Sequence, residues 1–221
     1  MLSILDGTVA AALSMSSNRG QTMKLLLFSD LHADVQAARH LGQRAHAVDV
    51  LVGAGDFGNV RRQVHICIEV LRGIDKPAVL VAGNNESTEE LTEACRSWSQ
   101  AHVLHGSTVT IAGMTFFGLG GGIPVTPFGS WSYDFTEEQA TELLVGCPKG
   151  CVLVSHSPPK GAVDVDSRGR SLGSVAVRDA VLRLDPLLLV CGHIHACAGH
   201  QARLGCSPVV NAGPTGVEWD L

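Results

Sequence analysis

The chain has 221 residues, 45% of them hydrophobic, and a formal charge of −5. That apolar share supports a full core and excludes disorder over most of the length. The acidic balance argues against a general nucleic-acid binder, which would present a basic face, and no apolar run reaches the about eighteen residues of a membrane span.

Residues 1–22 are Ser/Ala/Gly-rich, lack a basic start, and are interrupted by Asp6. They make a poor signal peptide and read as a non-core extension, mobile or an upstream start, ahead of one domain over 23–221. Seven cysteines, an odd number with no Cys-x-x-Cys pair, read as small buried hydrophobes in a reducing, cytoplasmic setting. Cys147 and Cys151 flank a Pro-Lys-Gly turn, where a bridge is the lesser of two readings.

From Lys24 the chain runs Leu-Leu-Leu-Phe and stops at Ser29, Asp30 and His32, which suits a strand buried on both faces. In a still-extended backbone, Asp30 and His32 at i and i+2 point the same way. Apolar residues at three- and four-residue steps predict a helix over 35–48, with Asp34 as N-cap. A strand over 49–53 runs into Gly55-Asp56, and a helix over 60–72 follows. A third strand, 78–82, ends at Gly83-Asn84-Asn85-Glu86, before a helix whose first turn carries Glu89 and Glu90, as its dipole prefers. Three strand–polar loop–helix units in succession predict a parallel sheet with its loops along one edge.

The second half changes character. Residues 107–111 and 114–119 flank Ala112-Gly113 as a hairpin, and a long glycine-bearing loop follows. It carries Phe128, Trp131, Tyr133 and Phe135, a concentration in a chain only 5% aromatic. A helix is expected over 136–145, a strand over 151–155 ending at His156, and a helix over 175–184 capped by Ser174. A strand over 187–191 enters Gly192-His193-Ile194-His195, and a hairpin near 199–204 and 208–211 closes the pattern.

Five predicted strands thus end at Asp30/His32, Asp56, Asn84, His156 and His193/His195. Each residue alone is consistent with turn or loop chemistry. Two carboxylates, one amide and four imidazoles gathered at strand ends form a joint pattern, and that pattern is a metal site.

The order Asp-x-His, Gly-Asn after Gly-Asp, an isolated His, then Gly-His-x-His resembles the calcineurin-like metallophosphoesterase superfamily. Residues 122–128, 155–159, 173–174 and 211–214 are further similar to its small prokaryotic branch related to cyclic-nucleotide phosphodiesterases. The resemblance implies an α/β fold, a four-layer α/β/β/α sandwich of two mixed sheets. It implies two divalent metal ions, manganese first and iron or zinc as alternatives. Asp30, His32, Asp56 and His195 would hold one; Asp56, Asn84, His156 and His193 would hold the other, with Asp56 bridging. The activity implied is hydrolysis of a small phosphorylated substrate by metal-activated water. Asn84, Asn85 and His156 would face the phosphoryl group.

One position departs from the family pattern. Members with monoesterase activity carry a histidine where this chain has Asn85. That histidine helps to protonate the leaving group, and an amide cannot. The departure shifts the expectation towards phosphodiesters. His105 is the nearest replacement by position, though an ordinary surface role also accounts for it, and Glu86 either orients Asn85 or caps its turn. Trp131, Tyr133 and Phe135 either stack a nucleobase or pack their loop on the core. Arg168 and Arg170 either reach a second phosphate or ribose or are simply solvated. The rival to an enzyme is a metal-binding interaction scaffold of the same fold.

Overall fold

The computed structural model describes residues 22–221; the extension expected over 1–22 lies outside them but for Thr22. The first sheet contains β1 (Lys24–Phe28), β2 (Val50–Gly53), β3 (Ala78–Leu80), β4 (Ala101–Val103) and β11 (Val217–Asp220), in the order β11-β1-β2-β3-β4. β1 to β4 are parallel, and β11 pairs antiparallel with β1. The second contains β5 (Ser107–Ile111), β6 (Met114–Leu119), β7 (Val152–Ser155), β8 (Leu188–Cys191), β9 (Gln201–Leu204) and β10 (Ser207–Asn211). Its order is β5-β6-β7-β8-β10-β9, parallel through the four central strands and antiparallel at both edges.

The alternation of each strand builds the layers. Leu25 and Leu27 face Val152, Val154, Val190 and Val210 across the two sheets. Leu26 and Phe28, on the opposite face, meet Leu41 of α1 (Val35–Arg44) and Ile68 and Leu71 of α2 (Val64–Leu71). α3 (Thr88–Ala94) completes that layer through Leu91. On the far side, Phe117, Leu153 and Leu189 meet Ala140 of α4 (Glu137–Leu143) and Val177 and Val181 of α5 (Val175–Leu184). The result is the α/β/β/α sandwich with two mixed sheets. Each fully buried Leu, Val or Phe in it contributes about 1.5–3 kcal/mol. No helix among the described residues is long and apolar enough to cross a membrane.

Three element boundaries differ from the sequence reading. α1 ends at Arg44 and tightens into a 3₁₀ turn over Ala45–Ala47. α4 likewise gives way to a 3₁₀ turn over Leu144–Gly146. The helix expected from Val60 starts only at Val64, because Val60, Arg61 and Gln63 are left-handed. The cause is a long-range capture. The Val60 N–H donates to Asn85 Oδ1 and the Arg61 N–H to the Asn85 carbonyl, each at 2.8 Å. β11 was not expected, since Val217-Glu218-Trp219-Asp220 carries charge at every second position. That alternation suits an edge strand with one exposed face.

Candidate metal centre

All the parallel strands that carry the motifs deliver them at their C-terminal ends, where the two sheets meet. β1 does not continue extended to His32, as the sequence reading supposed. Asp30 and His32 are left-handed, with φ of 57° and 44°. The Asp30 N–H donates to the Gly55 carbonyl and the His32 N–H to the Asp56 carbonyl, each at 2.9 Å. The loop after β1 is therefore zipped to the loop after β2, and this turn, rather than strand alternation, aims both side chains. Asp56 and His193 are left-handed too, with φ of 59° and 67°. Non-glycine residues held there cost of order 1 kcal/mol or more each and cluster where a surrounding site over-determines them.

Asp30, His32, Asp56 and His195 each place one ligand-type atom within 4.8 Å of the others. His32 Nε2 lies 3.0 Å from His195 Nε2 and 3.7 Å from Asp56 Oδ2, and His195 Nε2 lies 3.6 Å from Asp30 Oδ1. A second group sits beside it. His156 Nε2 is 3.6 Å from Asp56 Oδ1 and 3.3 Å from Asn84 Oδ1, which also lies 3.0 Å from His193 Nδ1. The two oxygens of Asp56 thus face the two groups separately.

The donor chemistry fits cations. His156 is fully buried, and its Nδ1 lies 2.7 Å from the Ala54 carbonyl, which can only accept. Nδ1 therefore carries the proton, and Nε2 turns a lone pair towards two oxygens unless a positive charge intervenes. Burial alone would lower its pKa, yet the charges of Asp56 and Asp30 raise it, so positive charge at this nitrogen is favoured. Burial would also raise the pKa of Asp30, but the facing His195 ring, the charge of His156 and the Ser29 hydrogen bond hold it at about 2. His195 is raised, first by the facing Asp30 carboxylate. His193 is lowered to about 3 by burial and then by His156, which keeps it neutral, as a ligand must be.

The surroundings fix these groups. The His193 N–H donates to Asp30 Oδ1 at 3.0 Å, and Ser29 Oγ donates to Asp30 Oδ2 at 2.6 Å. Asn211 Nδ2 donates to the carbonyls of Gly192 and Ile194, bracing the loop that carries His193 and His195. Glycines make the close approach possible. A Cβ on Gly83 would overlap the Asp56 carboxylate and backbone. Gly83→Ala is expected to cost about 1–3 kcal/mol in thermal or urea melts and to weaken metal binding, because the carboxylate must move.

Three sequence expectations come out differently. Asn85 does not hold its amide free for substrate: Nδ2 donates to Asp56 Oδ2 at 2.7 Å while Oδ1 accepts from Val60. Its backbone N–H donates to Asp56 Oδ1 at 2.8 Å, so Asn85 grips the carboxylate at both oxygens. His156 lies beneath the cleft floor rather than on its surface, whereas Asn84 and Asn85 both line the cleft, each almost wholly buried. His105 turns away from the cleft; its Nδ1 accepts from the Gly120 N–H and its ring packs on Phe135.

Glu86 does more than cap a turn or orient Asn85. It is fully buried and accepts from the N–H groups of Phe57, Gly58 and Gly83. Burial, then the Asp56 charge, pushes its carboxyl up to about 7. The only sequence signal was an acidic residue directly after two asparagines, too little to distinguish a cap from a staple between loops.

The cluster floors a cleft of about 650 Å³ whose walls include Phe128, Trp131, Arg170 and Leu172. An α/β/β/α sandwich with carboxylate, imidazole and amide ligands at its strand ends is the architecture of a metal-dependent phosphoesterase. The calcineurin-like phosphoesterase family model matches residues 23–197, and the chain belongs to that family. Among solved structures it is similar to the TT1561 protein of Thermus thermophilus, at 18% identity over 88% of this chain and 91% of that one, with a TM-score of 0.71. It is also similar to a dimetal phosphatase from Danio rerio, at 15% identity over 86% of each chain and a TM-score of 0.58. The purple acid phosphatase PPD1 of yellow lupin (Lupinus luteus) shares 11% identity over 90% of this chain and 45% of its own, with a TM-score of 0.55. At these identities the likeness is one of fold. No curated protein matches the chain.

Proposed function

We propose that the protein hydrolyses phosphodiesters at a two-metal centre held by Asp30, His32, Asp56 and His195 on one side and Asp56, Asn84, His156 and His193 on the other. The observation that carries this reading is the position of Asp56. Its Oδ2 faces His32 and its Oδ1 faces His156, so one carboxylate addresses both groups. Two divalent ions, when bound, supply a Lewis-acid clamp for phosphoryl oxygens and acidify a water. Manganese suits the mixed N/O donors, as do iron and zinc.

The chain's own residues bias the substrate. Asn85 is committed to Asp56 and Val60, so position 85 delivers no proton to a leaving alkoxide. Loss of a general acid typically costs ~10²–10⁴-fold when the leaving group needs the proton. A diester whose leaving group is stable as an anion avoids most of that cost. This favours the diesterase branch that the further motifs resemble.

The test is turnover of bis(p-nitrophenyl) phosphate and p-nitrophenyl phosphate with added manganese, for wild type and Asn85→His. The diester should react faster in the wild type, and Asn85→His should raise monoester turnover relative to diester. Two bound metal ions without turnover of either ester would replace hydrolysis with the interaction-scaffold reading.

A further inference from the structure

The loop after β6 divides its aromatic side chains between two tasks. Tyr133 and Phe135 pack on each other and on His105, and the Tyr133 hydroxyl hydrogen-bonds Thr88. Phe128 and Trp131 instead stand in the cleft wall, their rings nearly parallel at 14° and 5.8 Å between centroids. Phe128 is 52% exposed, and Val60 and Leu172, also exposed apolar residues, line the same cleft. Exposed apolar surface collected beside polar ligands marks a site for the organic part of a bound molecule.

This wall is tied to the metal cluster. Asn84 Nδ2 donates to Ser132 Oγ at 3.2 Å, and the Asn84 carbonyl accepts from the Tyr133 N–H at 3.0 Å. The residue that turns Oδ1 to His156 and His193 therefore also sets the height of the aromatic ledge. Arg170 is the one Lys or Arg lining the cleft among the described residues, and its Nε and an Nη both donate to Asp166 Oδ2. Its charge is matched locally, so the wall is not built around a second phosphate.

We propose that Phe128 and Trp131 form a stacking subsite for a planar aromatic group on the substrate, placed so that its phosphoryl group lies over the metal cluster. The inference rests on the two-metal reading above. A nucleobase and a simple aryl group share this chemistry, and the test separates them.

The manganese-loaded protein is titrated calorimetrically with inorganic phosphate, ribose 5-phosphate, AMP and phenyl phosphate. Base–aromatic stacking predicts that AMP binds about tenfold or more tightly than ribose 5-phosphate. In Trp131→Ala and Phe128→Ala that ratio should fall towards one, and Trp131→Phe should restore it. Tight binding of AMP alone assigns the ledge to a nucleobase; tight binding of phenyl phosphate, with or without AMP, assigns it to aromatic rings generally. If inorganic phosphate binds but neither aromatic ligand gains over ribose 5-phosphate, the subsite is wrong and the metal centre stands. If inorganic phosphate does not bind at all, both readings fall.

Discussion

Asp56→Asn is expected to lower turnover by about 10³-fold and to leave the protein with fewer than two bound manganese ions. Asp56 is almost fully buried, and both its oxygens are in use. Asparagine keeps the shape but replaces one oxygen with an NH₂ group. Whichever way the amide turns, that NH₂ faces a ring nitrogen, of His32 or of His156, and one Asn85 donor at the same time. The site loses the negative charge that faces both groups and gains a donor where it needs an acceptor. Removing several kcal/mol of metal-derived stabilisation corresponds to the thousand-fold loss. Metal content by mass spectrometry, measured beside the rate, locates the defect. Two retained ions with wild-type turnover would show that Asp56 does not bridge.

The seven candidate ligands were legible because each follows an apolar run short enough to be a buried strand, and parallel strands put their C-terminal ends together. The local path between strand and ligand was not. Asp30 and His32 share a direction through left-handed turns paired to Gly55 and Asp56, on the loop of the next strand. Periodicity reports only neighbours at i+2, i+3 and i+4, so such pairing is invisible to it. The same blindness extended α2 back to Val60, whose N–H is captured by Asn85. The aromatic run shows the limit most clearly. Trp131 and Tyr133 are two residues apart in one loop, yet one faces the cleft and the other packs by His105. The turn between them is fixed by the Asp134 carboxylate, which accepts from Ser132 and Thr126, together with Asn84, which bonds Ser132 and Tyr133.

Glu86→Ala is expected to destabilise the protein by about 3–5 kcal/mol and to weaken metal affinity by about 10–100-fold, without any contact between Glu86 and the cleft. Its Oε1 accepts from Gly83 at 2.8 Å and Phe57 at 3.2 Å, and its Oε2 accepts from Gly58 at 3.0 Å. Those three donors belong to the loops that carry Asp56 and Asn84, so one buried carboxylate sets the spacing of two ligand loops. Alanine leaves three buried N–H groups without partners, each costing about 1–3 kcal/mol before relaxation. Glutamine fills the space and keeps one acceptor oxygen, so Glu86→Gln should recover part of the loss. Urea melts in chelator measure stability free of metal, and manganese titration measures the positioning effect separately. Coincident melts and equal manganese affinities for wild type and Glu86→Ala would mean that strand packing alone holds the loops in register. The carboxylate's three bonds would then be a consequence of the site's geometry rather than its cause.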